Sequence, residues 1–174
     1  MDKRILIHIC CAPCATASVE RVIEDGIQPV LYFSNSNISP HEEFMRRLES
    51  ARTFTAITNL QLEVDKYNHE NWLAFIKGLE GEPEKGGRCN RCFEFSLQRT
   101  YLKAQELGIE KFCTTLTISP HKISSNIFKV GEKFPGFQAY NFKKKDGFRR
   151  SLKLSDEYEL YRQKYCGCEF SFRE

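Results

Sequence analysis

The segment ILIHICCAPCATASVERVIE (residues 5–24) contains a short apolar run, a cysteine-rich turn and a helical pattern, in that order. Residues 5–9 are mostly isoleucine and leucine, which is typical of a buried strand in a parallel sheet. Pro13 suits the first position of a helix, where its missing N–H is not needed, and the helical pattern continues over residues 15–24. The segment therefore predicts a strand followed directly by a helix, with the cysteines at the turn between them.

The same alternation continues along the chain. Apolar runs rich in β-branched or aromatic residues predict further strands over residues 30–33, 60–64 and 111–118. Periodic apolar positions predict further helices over residues 41–57, 70–79, 92–107 and 121–132. Strands that alternate with helices indicate βαβ units, so we expect an α/β protein with a Rossmann-like three-layer fold and a mainly parallel sheet.

The alternation ends near residue 131, where short aromatic and basic segments take over. We expect an irregular C-terminal extension there, with one last helix over residues 155–165. Ser155 suits the N-cap of this helix, since Asp156 and Glu157 would then fall in its first turn. No linker or repeat interrupts the sequence, so we expect residues 1–174 to form a single domain.

The composition excludes several classes of protein. The 26 Lys and Arg residues nearly balance the 23 Asp and Glu residues, so net charge alone does not indicate a nucleic-acid binder. No apolar run approaches the roughly 20 residues of a membrane span, and the N-terminal run is too short for a secretory signal. We therefore expect a cytoplasmic protein, in which the eight cysteines are metal ligands or redox groups rather than structural disulfides.

Seven of the eight cysteines fall in three motifs, CCAPC (10–14), CNRC (89–92) and CGC (166–168). The first motif lies where a predicted strand ends and a helix begins, a place where α/β proteins bind ligands and where the helix N-terminus favours thiolates. The second opens a predicted helix and supplies half of a four-thiolate site, for which zinc and an iron–sulfur cluster are equally open. A disulfide within the third would close a small, strained ring that is easily reduced. The eighth cysteine, Cys113, lies inside a predicted strand and is expected to be a small buried hydrophobe.

Taken in order, the segments around these motifs resemble the cobalamin-independent epoxyqueuosine reductases of the QueH family. The segments that carry the resemblance are LIHICCAPCA (6–15), SNSNISPHEEF (34–44), RCNRCFEFSLQRT (88–100), TTLTISPHK (114–122) and YRQKYCGCEFS (161–171). Members of the family often have Asn-Pro-Asn where this chain has NSN (35–37), and tyrosine where it has Phe93 and His121. None of these differences involves a cysteine.

The resemblance implies the last step of queuosine synthesis, in which the epoxide of epoxyqueuosine, at the wobble position of tRNA, is reduced to the cyclopentene of queuosine. It also implies a [4Fe-4S] cluster with an additional mononuclear iron beside it. Carried onto this chain, the cluster ligands are Cys10, Cys11, Cys89 and Cys92. Cys14 is then the natural ligand of the second iron. The redox-active pair of the family corresponds to Cys166 and Cys168.

The number of electrons that the reaction requires explains why these groups are expected to lie close together. Removing an epoxide oxygen as water requires two electrons and two protons, whereas an iron–sulfur cluster ordinarily passes one electron at a time. A second redox group is therefore expected beside the cluster, either the additional iron or the dithiol of CGC (166–168), together with an external electron donor. A metal ion could also act as a Lewis acid on the departing oxygen. The candidate proton donors are His8, His121 and Tyr165.

A local excess of positive charge near the C-terminus suits a tRNA partner. It comprises six basic residues around Asp146, namely Lys143, Lys144, Lys145, Arg149, Arg150 and Lys153. Basic side chains neutralise phosphates, and the interleaved Phe142 and Phe148 could stack on anticodon-loop bases, although a solvated loop would have the same composition. The polar residues after predicted strand ends that could hold the modified base are Asn35, Asn37, Ser119 and His121. No membrane partner is expected.

Two other functions remain open from the sequence. An iron–sulfur tRNA thiolase-like enzyme would use the same kind of fold, but such enzymes need ATP and a glycine-rich loop after the first strand. The turn CCAPC (10–14) cannot cradle a phosphate as a glycine-rich loop does. A zinc-stabilised RNA-binding module would use the cysteines without catalysis, and metal analysis separates it from an iron–sulfur enzyme.

Overall fold

Across residues 2–172, which the computed structural model describes, strands and helices alternate as the sequence predicts. The strands are β1 (Arg4–Ile9), β2 (Gln28–Phe33), β3 (Gln61–Val64) and β4 (Phe112–Thr114). The α-helices are α1 (Ala12–Glu24), α2 (His41–Thr58), α3 (His69–Phe75), α4 (Gly87–Leu107), α5 (Ser124–Gly131) and α6 (Gly147–Glu157). Short 3-10 helices cover Thr115–Ile118, Lys144–Asp146 and Glu169–Ser171. None of these helices combines the length and the apolar character that crossing a membrane requires.

The four strands lie parallel in the order β3-β2-β1-β4. Strand β1 is central, with Leu6 opposite Val30 on one side and opposite Phe112 on the other. The chain therefore builds β2 and β3 on one side of β1 and returns to its other side to form β4. In open α/β sheets, ligands bind at such a reversal, beyond the carboxyl ends of the strands. The CCAPC turn that follows β1 lies at this point.

Successive residues of β1 point to opposite faces of the sheet and enter two separate cores. Ile5, Ile7 and Ile9 pack with residues of α1 and α2 on one face. Leu6 packs with residues of α4 and α5 on the other face. Helices on both faces of a parallel sheet make up the three layers of the predicted fold.

The strand predicted over residues 111–118 is shorter in the structure. It stops at Thr114, whose hydroxyl oxygen accepts a hydrogen bond from the N–H of Leu116 and begins a 3-10 helix. Pro13 is in the second position of α1 rather than the first, because the helix begins at Ala12. Neither difference moves the turns after β1 and β4 away from the carboxyl edge of the sheet.

The last helix predicted over residues 155–165 is wrong. Helix α6 ends at Glu157, and residues 158–168 form neither helix nor strand. Ser155 is a buried residue inside α6 rather than an N-cap, and its hydroxyl donates to the carbonyl of Ser151. The CGC motif therefore follows an irregular segment, as the expected extension implied, but not a helix.

The C-terminal extension returns to the carboxyl edge of the sheet. The hydroxyl of Tyr165 donates to the carbonyl of Ser39 at 2.6 Å, and the N–H of Ser39 donates to the carbonyl of Gly167 at 2.9 Å. These bonds place the CGC motif beside the segment that follows β2.

Candidate functional site

A cavity of about 300 Å³ opens at the carboxyl edge of the sheet, among the turns that follow β1, β2 and β4. Six of the eight cysteines line it: Cys10, Cys14, Cys89, Cys92, Cys166 and Cys168. The four polar residues predicted to hold a modified base also line it: Asn35, Asn37, Ser119 and His121. The structure thus brings residues from three distant cysteine motifs to one cavity, which is the candidate functional site.

The CCAPC turn gathers three sulfur atoms at one point. The Sγ atoms of Cys10, Cys11 and Cys14 all lie within 4.8 Å of one another, and those of Cys10 and Cys11 are 3.9 Å apart. Cys11 is the N-cap of α1, and only Cys10 and Cys11 separate the end of β1 at Ile9 from the first helical residue, Ala12. Thiolates bound at about 2.3 Å to one tetrahedral metal ion would be about 3.8 Å apart. These three cysteines could therefore hold a metal ion or part of a metal cluster.

One of the three sulfur atoms is favoured as the thiolate. Hydrogen bonds from Cys11 and Cys14 hold the pKa of Cys10 well below its usual range. The hydrogen bond to Cys10 raises the pKa of Cys11 to about 12 and also raises that of Cys14. The side-chain amide of Gln163 donates a further hydrogen bond to Cys11 Sγ at 3.0 Å. Of the three thiols, Cys10 is therefore the one that most readily loses its proton to give the thiolate, the form in which a cysteine binds metal.

The two cysteines of CNRC lie near the start of α4. The backbone N–H of Lys85 donates to Cys89 Sγ, and the indole N–H of Trp72 donates to Cys92 Sγ, each at 3.3 Å. Burial raises the pKa of both thiols, and raises that of Cys92 strongly. Within residues 2–172, the CCAPC sulfurs are the only group of three close metal-ligating atoms, so Cys89 and Cys92 line the cavity without joining that group.

The two cysteines of CGC have different surroundings. Cys166 is exposed, and the ammonium group of Lys122 donates to its Sγ at 3.3 Å. Cys168 is buried in a small apolar cluster with Trp72, and its thiol donates to Ser171 Oγ at 3.5 Å. Both are free thiols. The pair therefore has one sulfur open to solvent and one enclosed in the protein.

A buried arginine that the sequence did not reveal holds the CGC motif in place. Arg47 of α2 is 1% exposed and pairs with Glu43 at 2.7 Å. Its two terminal nitrogens donate to the carbonyls of Tyr165 and Cys166, at 2.9 and 2.7 Å. Gly167 has a φ of +147°, and a Cβ added there would lie only 3.3 Å from the guanidinium. The loop that carries Cys166 and Cys168 is therefore tightly fixed against α2.

Lys122 is a second residue of the cysteine cavity that sequence reasoning missed. Burial alone would lower its pKa, but the nearby sulfur atoms of Cys166, Cys10 and Cys14 outweigh burial and raise it. The ammonium group therefore stays charged beside the cysteines. The available signal was its position at the end of TTLTISPHK (114–122), next to the predicted His121.

Two of the three candidate proton donors, His8 and Tyr165, already donate their hydrogen to a backbone carbonyl. His8 is buried, and its Nε2–H donates to the carbonyl of Ser34 at 3.0 Å, since that carbonyl can only accept. Its Nδ1 then accepts from Thr114 at 2.9 Å, and burial lowers its pKa, so the ring stays neutral. The hydroxyl of Tyr165 donates to a backbone carbonyl at 2.6 Å. His121 is exposed and lines the cavity, which makes it the best placed of the three.

The polar residues that line the cavity also differ in burial and in the hydrogen bonds that they already make. Asn35 is buried, and its amide donates to the carbonyl of Ile9 at 2.9 Å, so it joins the ends of β1 and β2. Asn37 and Ser119 are half-buried, and Ser119 Oγ accepts from the N–H of His121 at 3.2 Å.

Most of the predicted basic residues lie on a second cavity, of about 520 Å³, rather than on the cysteine cavity. It is lined by Lys144, Lys145, Arg149, Arg150 and Lys153, together with Arg21. Arg150 is paired there with Glu20 at 3.0 Å. Lys143 is turned away from this group, because its ammonium donates to Ser124 Oγ at 2.9 Å and to a backbone carbonyl.

The two phenylalanines of this region lie in opposite environments. Phe142 is buried and stacks on Tyr140 with ring centroids 5.1 Å apart, so the prediction that it stacks on RNA bases is wrong. Phe148 is 39% exposed and lines the cysteine cavity, whereas the adjacent Arg149 lines the basic one. The start of α6 therefore separates the two cavities.

Together, the fold and the cavity define a class: α/β proteins with a thiolate-rich site, suited to metal or redox chemistry, at the carboxyl edge of a parallel sheet. The model of one protein family, described as Epoxyqueuosine reductase QueH, matches residues 5–174. This chain belongs to the QueH family.

Individual relatives agree with the family match, and each of the following is named Epoxyqueuosine reductase QueH. The relative from Streptococcus pyogenes serotype M1 is 40% identical over 96% of this chain and 69% of its own length. The relative from Acinetobacter baylyi is 36% identical over 98% of this chain and 81% of its own. The relative from Thermotoga maritima is 34% identical over 98% of this chain and 91% of its own.

Proposed function

We propose that this protein is an iron–sulfur epoxyqueuosine reductase, which converts epoxyqueuosine in tRNA to queuosine. The observation that carries the proposal is the convergence of six cysteines, from three motifs, on one cavity in a chain of the QueH family. The overall change is balanced by two electrons and two protons, which turn the epoxide into an alkene and water.

The cavity fits a metal cofactor bound by thiolates. Hydrogen bonds from Cys11 and Cys14 lower the pKa of Cys10, which eases formation of the thiolate that a metal requires. The positive charges of Arg47 and Lys122 act on the CCAPC sulfurs and would offset the negative charge of such a cofactor. We assign four cysteines as ligands of the [4Fe-4S] cluster: Cys10, Cys11, Cys89 and Cys92. We assign Cys14 as a ligand of the additional iron. When bound, the cluster supplies single electrons, and the iron can act as a Lewis acid on the departing oxygen.

The residues around the cysteines would bind the modified base and supply a proton. Asn37 and Ser119 present polar atoms to the cavity, which suits the hydroxyl groups of the cyclopentane ring. The imidazole of His121 is exposed on the same cavity and is our candidate to protonate the leaving oxygen. Asn35 keeps the ends of β1 and β2 together beneath the base.

The CGC pair is the second redox group of the proposal. Oxidation of the Cys166 and Cys168 thiols to one disulfide releases two electrons and two protons, the number that epoxide reduction consumes. An external donor must then reduce the disulfide. We therefore place this pair in the reaction cycle and not in the cluster.

The basic cavity gives the proposal a place for the tRNA backbone. Lys144, Lys145 and Arg149 are exposed there and would neutralise phosphates of the anticodon stem and loop. Phe148, on the adjacent edge of the cysteine cavity, could stack on a base next to the modified one. The backbone and the base would then occupy neighbouring cavities on either side of the start of α6.

The test is turnover with the natural substrate. Anaerobically purified protein is incubated with tRNA that carries epoxyqueuosine and with a chemical reductant, and the nucleosides are analysed by mass spectrometry. We expect epoxyqueuosine to be replaced by queuosine. Unchanged epoxyqueuosine with cluster-loaded protein would contradict the proposal.

A zinc-stabilised RNA-binding module is the second candidate function. The observation that favours it is the spacing of the CCAPC sulfurs, which suits a single tetrahedral ion. Such a protein would contain zinc without sulfide, would be colourless, and would bind tRNA without changing it.

A further inference from the structure

We infer that Lys122 is a positioning residue for Cys166, and that it makes Cys166 the sulfur of the CGC pair that exchanges with an external dithiol. The inference rests on the proposed function for its place in the reaction cycle. It rests on the structure for the choice between the two sulfurs.

The first step of the argument is access. Cys166 is exposed at the cavity, whereas Cys168 is 7% exposed and packs with Trp72 and Ile76. Thiol–disulfide exchange requires an attacking thiolate to approach along the disulfide axis, so the sulfur that a reductant can reach is the one attacked. Access therefore selects Cys166.

The second step is charge. The ammonium of Lys122 donates to Cys166 Sγ at 3.3 Å, and a cation at this distance stabilises a thiolate over a thiol. Cys168 has the hydroxyl of Ser171 in the corresponding place, at 3.5 Å, which carries no charge. Cys89 and Cys92 also lie near the CGC sulfurs, but they are thiols whose pKa values burial raises.

The third step is rigidity. Arg47 holds the carbonyls of Tyr165 and Cys166 and is itself held by Glu43. The ammonium of Lys143 donates to the carbonyl of Lys122, which fixes the other side of the contact. The 3.3 Å contact is therefore built between two anchored backbones and does not depend on the chance meeting of two surface side chains.

The exchange balances in atoms and electrons. One thiolate of the external dithiol attacks the Cys166 sulfur of the disulfide, the S–S bond breaks, and Cys168 leaves with the electron pair and takes up a proton. The second sulfur of the dithiol then attacks its partner in the mixed disulfide, and Cys166 leaves as a thiolate beside Lys122. The products are two protein thiols and one oxidised dithiol.

The experiment measures the reactivity of each thiol in the full-length, anaerobically purified holoprotein. A short pulse of iodoacetamide at neutral pH is followed by peptide mass spectrometry. We expect Cys166 to react at least tenfold faster than Cys168. In Lys122→Met we expect its rate to fall by about three- to tenfold, because the ammonium group that contacts the Cys166 sulfur at 3.3 Å is lost. Lys122→Arg should restore most of the rate.

Lys164→Met is the matched control. Lys164 lines the same cavity and carries the same charge, but Lys122 is the lysine bonded to Cys166 Sγ. This variant should keep the wild-type rate. Equal alkylation of Cys166 and Cys168 in the wild type, or an unchanged rate in a folded Lys122→Met variant, would overturn the inference.

A second measurement follows the exchange itself and does not require any variant to fold. Oxidised wild-type protein is exposed briefly to glutathione and quenched in acid, and we expect the mixed disulfide on Cys166. Glutathione found mainly on Cys168 would contradict the assignment. Neither measurement uses tRNA, so a protein that passes both but does not reduce epoxyqueuosine would overturn the proposed function and not the pairing of Lys122 with Cys166.

Discussion

Single residues of the cysteine cavity differ in what their sulfur atoms contact. Cys10 accepts hydrogen bonds from neighbouring thiols, Cys92 accepts one from an indole, and Cys166 accepts one from an ammonium group. Cys113 is wholly buried in β4, where burial strongly raises its pKa, as expected for an inert thiol. These differences in surroundings, rather than the residue type, separate proposed ligands and redox groups from a structural cysteine.

Replacing Cys92 with Ser is the prediction that follows for cofactor binding. We expect Cys92→Ser to lose most of its iron and sulfide, because the proposed cluster would lack one thiolate ligand. Cys113→Ala is the control, and it should keep full iron content at a cost of about 1 kcal/mol in the free energy of unfolding. Normal iron and sulfide in Cys92→Ser, measured by chemical analysis, would show that Cys92 is not a ligand.

Removing the buried guanidinium is the second prediction at the residue scale. Arg47→Met removes the buried cation that is hydrogen-bonded to buried Glu43, so we expect it to lower the free energy of unfolding by about 3 kcal/mol or more. Arg46 contacts the same Glu43 at 3.6 Å but is exposed, so Arg46→Met should cost less than about 1 kcal/mol. Urea unfolding measures both, and equal losses in the two variants would contradict the role given to Arg47.

At the scale of elements, sequence patterns predicted what lies close along the chain and missed what is joined across it. The runs at residues 30–33 and 60–64 correspond to β2 and β3, because buried strands must be apolar. The segment Ser155-Asp-Glu has the residue pattern of a helix start, but it lies inside α6, which begins at Gly147. Gly147 packs so closely that a Cβ there would clash with the carbonyl of Phe142. Arg47 reaches residues more than 100 positions away, and no local pattern signals such a contact.

The junction of β3 with α4 predicts a pH dependence of stability. Burial alone would raise the pKa of Asp65, but hydrogen bonds from Arg99 and Ser34 outweigh burial and lower it. A lowered pKa in the folded state stabilises the fold above the ordinary Asp pKa of about 3.9, and this contribution is lost as the pH falls below it. The free energy of unfolding of Asp65→Asn should therefore fall less steeply than that of the wild type as the pH is lowered from about 5 to about 3.

The control for this prediction is Asp156→Asn, because Asp156 is exposed and pairs only at the surface with Arg162. It should leave the pH dependence as in the wild type. Chemical unfolding at several pH values measures both variants. If the free energy of unfolding of Asp65→Asn fell with pH as steeply as that of the wild type, the ion pair with Arg99 would contribute nothing to stability in acid.

The basic residues at and just before the start of α6 lead to a prediction about tRNA binding. Replacing Lys144, Lys145 and Arg149 together with Ala should weaken tRNA binding and reduce its salt dependence, because fewer counterions would be released from the phosphates. Lys77, Lys111 and Lys129 are exposed lysines outside both cavities, and their triple Ala variant is the control of matched charge. An unchanged affinity and salt slope in the first variant would mean that the basic cavity does not contact tRNA.

At the scale of the whole molecule, three motifs far apart in sequence meet because parallel strands end at one edge of the sheet. The turns after β1, β2 and β4 and the start of α4 all open onto the cysteine cavity. The resemblance to the QueH family implied this meeting of CCAPC (10–14) and CNRC (89–92), because it assigned Cys10, Cys11, Cys89 and Cys92 to one cluster. Hydrogen bonds made by Tyr165, Ser39 and Arg47 hold the irregular extension with CGC (166–168) at the same edge, and no local sequence pattern signals these contacts.

The central claim is that this cavity holds an iron–sulfur cluster and an additional iron. Iron and acid-labile sulfide analysis of anaerobically purified protein tests it most directly, with electron paramagnetic resonance of the dithionite-reduced sample. We predict a brown protein with more iron than sulfide and the signal of a reduced [4Fe-4S] cluster. A colourless protein that contains zinc and no sulfide would contradict the claim.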